Sequence, residues 1–330
     1  MEIIIIILLF ILGLFLVSKG GDFFLNASVW IAETFHIPKV IVGATIVTIG
    51  TTLPEMIVSV SAAMQGNTEL AASNAVGSIT VNIGLILSIL VLFHPFTIKR
   101  TDYTGKILLT FLAILALLCL GWDGILGTVE SILLIAIFAV FIFVNIRQAK
   151  SSAKDLQFSS EPAGPHDPKD SKNHPDSSKR SVIVHIIKFL LGAGGIYFGS
   201  QFLIDNGVLL AKALGIPEVI IGFTAVSIGT SLPELVCALK SIRRGNIGVS
   251  VGNIIGANIV DTSLILSLSS IFSGGNLPVP ETIVRQDMPL YIVLISIIFV
   301  PALLRKRFSR WQAILTSGIY IFYVAWMLIP

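Results

Sequence analysis

At 330 residues the chain is long enough for two or three soluble domains, but its composition excludes them: 54% of residues are hydrophobic and 12% are charged, with a mean hydropathy of +0.91. A soluble domain carries about 25% charged residues. The net charge of +3 says little by itself, and no nucleic-acid partner is expected from it; the positions of the basic residues say more.

Apolar runs long enough to cross a bilayer recur along the whole sequence. The first follows Met1-Glu2 directly, with no basic segment and no small-residue cleavage site, so it reads as a retained helix rather than a signal peptide. Ten helices are predicted near 2–34, 38–65, 69–93, 102–121, 126–148, 182–213, 217–244, 248–272, 287–304 and 309–329. The first and sixth exceed the span of a bilayer, so they are expected to tilt or to break, with Lys19-Gly20-Gly21-Asp22 as the weak point of the first. Cys119 and Cys237 stand singly in apolar runs and read as small buried residues. Residues 151–181 hold Ser, Pro, Asp, Lys and His with almost nothing to bury, which predicts a disordered linker. His166 and His174 within it read as solvated.

With the linker placed in the cytoplasm, Lys99, Arg100, Arg243, Arg244 and Arg305 to Arg310 fall on its side of the membrane. The opposite side holds little beyond Lys212 and Arg285, and both termini lie there. The second half repeats the first. At a constant offset of 179 residues, His36–Leu90 matches Gly215–Ser269 at 22 of 55 positions without a gap, including Gly50-Thr51, Leu53-Pro54-Glu55, Gly66-Asn67 and their counterparts. Five helices per half is an odd number, so the copies cross in opposite senses. The expected fold is an all-α integral membrane protein of ten transmembrane helices: a five-helix repeat at 1–150, the linker at 151–181, and a second, inverted repeat at 182–330. Inverted repeats of this kind are a transporter architecture, with the site between repeats at mid-membrane.

Glu55, Glu234 and Asp261 fall deep in apolar spans, and no lysine or arginine is expected at their depth. An ionisable group in hydrocarbon costs a few kcal/mol or more and faces a cavity or a partner. A cation is the simplest counter-charge. Pro54 and Pro233 lack an N–H, which frees the carbonyls of Gly50 and Gly229 four residues earlier, and such carbonyls are tolerated where they line a cavity. Calcium takes roughly 6–8 oxygens. Asn74, Ser78 and Asn82 share a helical face; their repeat partners are Asn253, Ala257 and Asp261, and Asn82 and Asp261 read as site residues. Gly77 and Gly256 would admit a closely packed neighbour.

In these residues the sequence resembles the sodium/calcium exchanger family over nearly its whole length. The resemblance implies a cluster where three sodium ions exchange for one calcium, both as transported ions, with no organic cofactor. Glu55 and Glu234 would be shared ligands, and Thr51 and Thr230 would complete the calcium site. Thr52, Ser231 and Ser78 would serve sodium, with carbonyls of Thr48 and Ser227, while Asn82 and Asp261 would bound the middle. Two positions depart from the family pattern of Gly-Ser-Asn: Ile79 replaces an amide, and Ala257 lacks a hydroxyl.

The implied function is secondary active antiport of sodium against calcium, in a multi-pass cell-membrane protein whose partners are the two ions and the bilayer. No obligate protein partner is evident. Proton/calcium antiport and potassium-dependent exchange remain alternatives; the former lacks the Glu-His signature of the proton-coupled relatives, and the latter shares an aspartate at Asp261. A membrane-embedded hydrolase is the remote alternative, and no Tyr-Asp or Gly-x-Gly-Asp motif supports an enzyme.

Overall fold

A computed structural model of the protein describes residues 2–34, 47–98, 100–158, 179–243 and 247–328. Within them the regular structure is helical apart from two three-residue strands. The helices are α1 (Glu2–Thr34), α2 (Val47–Thr51), α3 (Leu53–Met64), α4 (Thr68–Phe93), α5 (Arg100–Leu120), α6 (Thr128–Phe158) and α7 (Lys179–Leu214). They continue with α8 (Glu218–Thr230), α9 (Leu232–Arg243), α10 (residues 247–272), α11 (Ile283–Arg305) and α12 (Arg310–Met327). Seven of the described helices are long and apolar enough to cross a membrane. The shorter α3 and α8 are apolar pieces of broken helices.

Burial separates the centre from the rim. The apolar windows of α4 and α10 are 78% and 83% buried, against 22% for α1 and 17% for α7. The first pair therefore forms the core, while α1 and α7 turn side chains such as Leu8, Phe15, Leu190 and Phe198 outward, as lipid-facing helices do.

α1 and α7 pack along one another. The contact depends on two glycines: a methyl group on Gly20 would lie 2.7 Å from Ile196 N, and one on Gly192 would lie 2.8 Å from Gly20 O. Small residues at such crossings let backbones approach. Of the two outcomes expected of α1, tilt or a break at Lys19-Gly20-Gly21-Asp22, the break is absent, because α1 runs through it unbroken. The glycines serve packing there, and Lys19 pairs with Asp22 one turn on at 3.7 Å. That pair also corrects the expectation that no lysine shares the depth of the glutamates. Gly21 lies against the Pro54 and Pro233 rings, which puts Lys19 at their level, but it is half exposed and already neutralised.

Two further expectations change. Cys119 is exposed, on the outer face of α5, where an apolar thiol costs nothing against lipid; the side chain of Cys237 lies outside the described ones. Helix α6 continues to Phe158, eight residues into the stretch read as linker, and α7 begins at Lys179. His166 and His174 lie outside the described residues.

Two backbone ladders tie the halves together. β1 (Ile125–Gly127) pairs antiparallel with β2 (Asn276–Pro278). At the other ends of the helices Thr97 bridges Arg307, flanked by Ile98 N to Lys306 O at 2.9 Å and Phe308 N to Phe96 O at 2.9 Å.

Candidate ion-binding site

The two proline motifs break their helices at equivalent places. Thr52 stands between α2 and α3 with φ −86° and ψ 2°. Ser231 stands between α8 and α9 with φ −82° and ψ 7°. The proline sits in the first turn of each following helix, where its missing N–H is tolerated. Each following helix therefore starts with its orphan N–H groups, and the positive end of its dipole, beside Glu55 or Glu234.

These glutamates come from opposite halves and meet. Glu55 and Glu234 are 1% exposed and Asp261 is fully enclosed. Glu55 lies within electrostatic reach of both other acids. Ser231 Oγ donates to Glu55 Oε1 at 2.9 Å, while Oε2 has no partner. Thr51 sits beside Glu234 without closing a hydrogen bond of good geometry, and neither oxygen of Glu234 or of Asp261 is bonded. Buried polar atoms in native proteins are almost always paired. Five unpaired carboxylate oxygens in one region therefore mark a place built for something positive.

Hydroxyls and amides of the motifs surround the acids. Thr230 Oγ1 donates to Asn74 Oδ1 at 3.3 Å, and Asn253 Nδ2 donates to Thr51 Oγ1 at 3.4 Å. The offset of 179 residues converts the first residue pair into the second, so the two halves exchange the same contact. Asn74 Nδ2 also donates to Ser59 Oγ at 2.9 Å. The carbonyl of Thr48 collects the hydroxyls of Thr51 at 3.2 Å and Thr52 at 3.0 Å. That of Ser227 accepts from Thr230 at 3.3 Å. Ser78 is buried with its hydroxyl unpaired.

The expected close approaches at Gly77 and Gly256 are present, and they too are reciprocal. A methyl on Gly77 would meet Phe223 O at 2.6 Å and Ser227 Cβ at 2.8 Å; one on Gly256 would meet Thr48 Cγ2 at 2.8 Å. The core helices thus press directly on the segments that carry Thr48 and Ser227. Irregular backbone marks the same region. π-helical turns run over Asn82–Leu87, Gly222–Val226 and Val260–Ile265, and such turns gather at functional sites.

Symmetry ends at the middle of the core. Asn82 Nδ2 donates to Asn258 Oδ1 at 3.0 Å. The equivalent pairing would join Asp261 to position 79, which is isoleucine, so Asp261 is left bare. Tyr291 on α11 is enclosed beside it, its hydroxyl next to the Asn258 side chain.

All the sequence-derived candidates (Thr48, Thr51, Thr52, Glu55, Ser78, Asn82, Ser227, Thr230, Ser231, Glu234 and Asp261) are buried in this one region. Asn258 and Tyr291 join them. Neither is among the residues expected from the sequence: Asn258 follows Ala257 in the Gly-Ser-Asn position, and nothing around Tyr291 marks it. Among the described residues no three acidic, histidine or cysteine groups converge tightly enough for a single metal-ion site. The acids are instead distributed over a cluster. Every candidate ligand is an oxygen, which suits hard cations rather than thiophilic metals.

A family model described as sodium/calcium exchanger protein matches residues 5–147 and 184–329. The inner membrane protein YrbG of Escherichia coli is 32% identical, covering 96% of this chain and 95% of its own. The sodium/calcium exchanger MaX1 of Methanosarcina acetivorans is 27% identical over 98% of this chain and 97% of its own. Among solved structures, the sodium-calcium exchanger NCX_Mj soaked with 10 mM Na+ and 10 mM Sr2+ superposes with a TM-score of 0.66. It is 28% identical and is covered, like this chain, over 98%.

Proposed function

Because the chain belongs to the sodium/calcium exchanger protein family, we propose that it is a secondary antiporter exchanging sodium for calcium by alternating access. The observation that carries this reading is the set of three buried carboxylates, drawn from both halves, with five oxygens unpaired. Glu55 and Glu234 are the shared ligands. Thr51 and Thr230 complete the calcium site with their oxygens, and Thr52, Ser231, Ser78 and the carbonyls of Thr48 and Ser227 serve sodium. Asn82 and Asp261 bound the middle.

Electrostatics couples the ions. An empty cluster holds like charges in a low-dielectric interior, where uncompensated charge costs several kcal/mol, so crossing empty is disfavoured. One calcium or several sodium ions nearly neutralise it and permit the switch. Shared ligands make the two loads mutually exclusive.

Ten transmembrane helices in two inverted five-helix repeats, 1–150 and 182–330, supply two near-equivalent arrangements facing opposite sides. The reciprocal contacts Thr51–Asn253 and Thr230–Asn74 support this reading. The long α1 and α7 are the moving elements, and residues 151–181 form a cytoplasmic linker, in keeping with the basic residues on its side.

Potassium-dependent exchange is the second reading, favoured by the bare carboxylate of Asp261. Purified protein in vesicles, assayed for calcium-45 uptake against outward gradients of sodium, potassium or protons one at a time, separates the readings. Uptake driven by sodium alone is expected; uptake driven only by protons overturns the proposal, and a need for potassium with sodium selects the second reading.

A further inference from the structure

Asp287 is a fourth buried carboxylate, outside the cluster, and the expected start of a helix at 287 hid it at a boundary. Its side chain is fully enclosed. Tyr323 Oη donates to Oδ1 at 2.6 Å, and Oδ2 has no partner. Among the described residues no lysine or arginine pairs with it; the neighbouring Arg285 is exposed and bonded to Glu281 at 2.8 Å. An uncompensated acid inside a membrane helix is costly and marks function by default.

Two independent features surround it. Among the described residues Asp287 closes a fourth π-helical turn, Ile283–Asp287, whereas the other three lie at the ion cluster. A cavity of about 630 Å³, lined among others by Glu69, Pro217, Thr282, Gln286 and Trp326, lies just beyond Leu214, at the end of α7 opposite Lys179, where the linker joins. Gln286 adjoins Asp287 in sequence, and the Trp326 ring lies 5.8 Å from that of Tyr323. The phenol that holds Asp287 is therefore in ring contact with the cavity wall. Inward, Tyr291 follows one turn along α11, with its hydroxyl beside Asn258 and Asp261.

We infer that Asp287 and Tyr323 form an outer cation station, where a sodium ion pauses between this cavity and the cluster. One carboxylate balances one monovalent ion, while a calcium ion would keep a surplus charge, so the station favours sodium. The inference rests on the exchange reading, and its test separates the two.

The full chain is reconstituted in vesicles with known orientation, and sodium is varied on one face at a time while calcium-45 flux is measured. Asp287→Asn is expected to raise the half-saturating sodium concentration on the cavity face by about tenfold, the order of a lost charge-assisted contact. The value on the linker face and the calcium dependence are expected to stay as in the unaltered protein. Tyr323→Phe keeps the ring packing and should give a smaller shift on the same face, which covers failure of Asp287→Asn to fold. An equal shift on both faces, a shift in calcium instead, or no shift overturns the station.

A second readout needs no transport. With Trp30, Trp122 and Trp311 changed to Phe, sodium should produce a saturable change in Trp326 fluorescence that Asp287→Asn removes. Should the unaltered chain show no sodium-driven flux, the exchange reading fails while this signal still decides the station; its absence overturns the inference.

Discussion

Ser231 Oγ donates to Glu55 Oε1 at 2.9 Å across the boundary between the halves, whereas Thr52, its counterpart by the repeat, turns back to Thr48 O at 3.0 Å. Glu55 thus has one oxygen bonded, whereas neither oxygen of Glu234 is. Ser231→Ala should leave both glutamates bare. The ion-free variant is expected to lose about 1.5–3 kcal/mol, the worth of a hydrogen bond to a charged group. Calcium should then stabilise it against thermal unfolding more than it stabilises the unaltered protein. Thr52→Ala should not show this larger calcium effect. Melting curves in detergent with and without calcium check both.

Removing either shared charge should remove calcium exchange. Breaking a buried charge pair by deleting one partner costs about 3–5 kcal/mol, which is roughly a 100- to 4,000-fold loss of affinity. Glu55→Gln and Glu234→Gln are each expected to bring calcium-45 uptake to background while the protein still purifies as a folded species. Uptake near the unaltered level in either variant would show that the carboxylate is no ligand.

The motifs were legible in the sequence because each combines rare residues for a membrane span: a proline, a glutamate and hydroxyls, found twice at a fixed offset. Gly77 and Gly256 were legible for the same reason. The α1–α7 contact was not. Gly20 and Gly192 sit in helices that are apolar on all sides, so no periodic stripe tells which face meets a neighbour. Gly20 beside charged Lys19 and Asp22 therefore looked like a break. Asp287 and Tyr291 escaped because their significance depends on Tyr323 and Asp261, brought near only by packing. The asymmetry of Asn82 and Asp261 could be read, but not that Asn258 bonds the former and leaves the latter bare.

The glycine contact gives a prediction about motion. Gly20→Val and Gly192→Val place side chains against the partner backbone at 2.5–2.7 Å, and overpacking of this kind costs typically 1–3 kcal/mol. With α1 and α7 as moving elements, exchange should slow strongly. Calcium-induced thermal stabilisation should persist, because neither glycine belongs to the ion cluster. Equal loss of flux and of calcium stabilisation would show that the helices shape the site instead.

Ala257 is fully enclosed at the position equivalent to Ser78. Ala257→Ser adds a hydroxyl oxygen to the proposed sodium ligands. It is expected to increase sodium affinity and steepen the sodium dependence of calcium-45 uptake, read as a higher Hill coefficient, with calcium affinity little changed.

Sodium and calcium are expected to compete for one cluster held by Glu55, Glu234 and Asp261. Calorimetric titration of the purified protein with calcium at a series of sodium concentrations tests it most directly. The apparent calcium dissociation constant should rise with sodium more steeply than in direct proportion, because more than one sodium displaces each calcium, and calcium heat should vanish in Glu55→Gln. A calcium affinity indifferent to sodium, or calcium binding that survives Glu55→Gln unchanged, would contradict it.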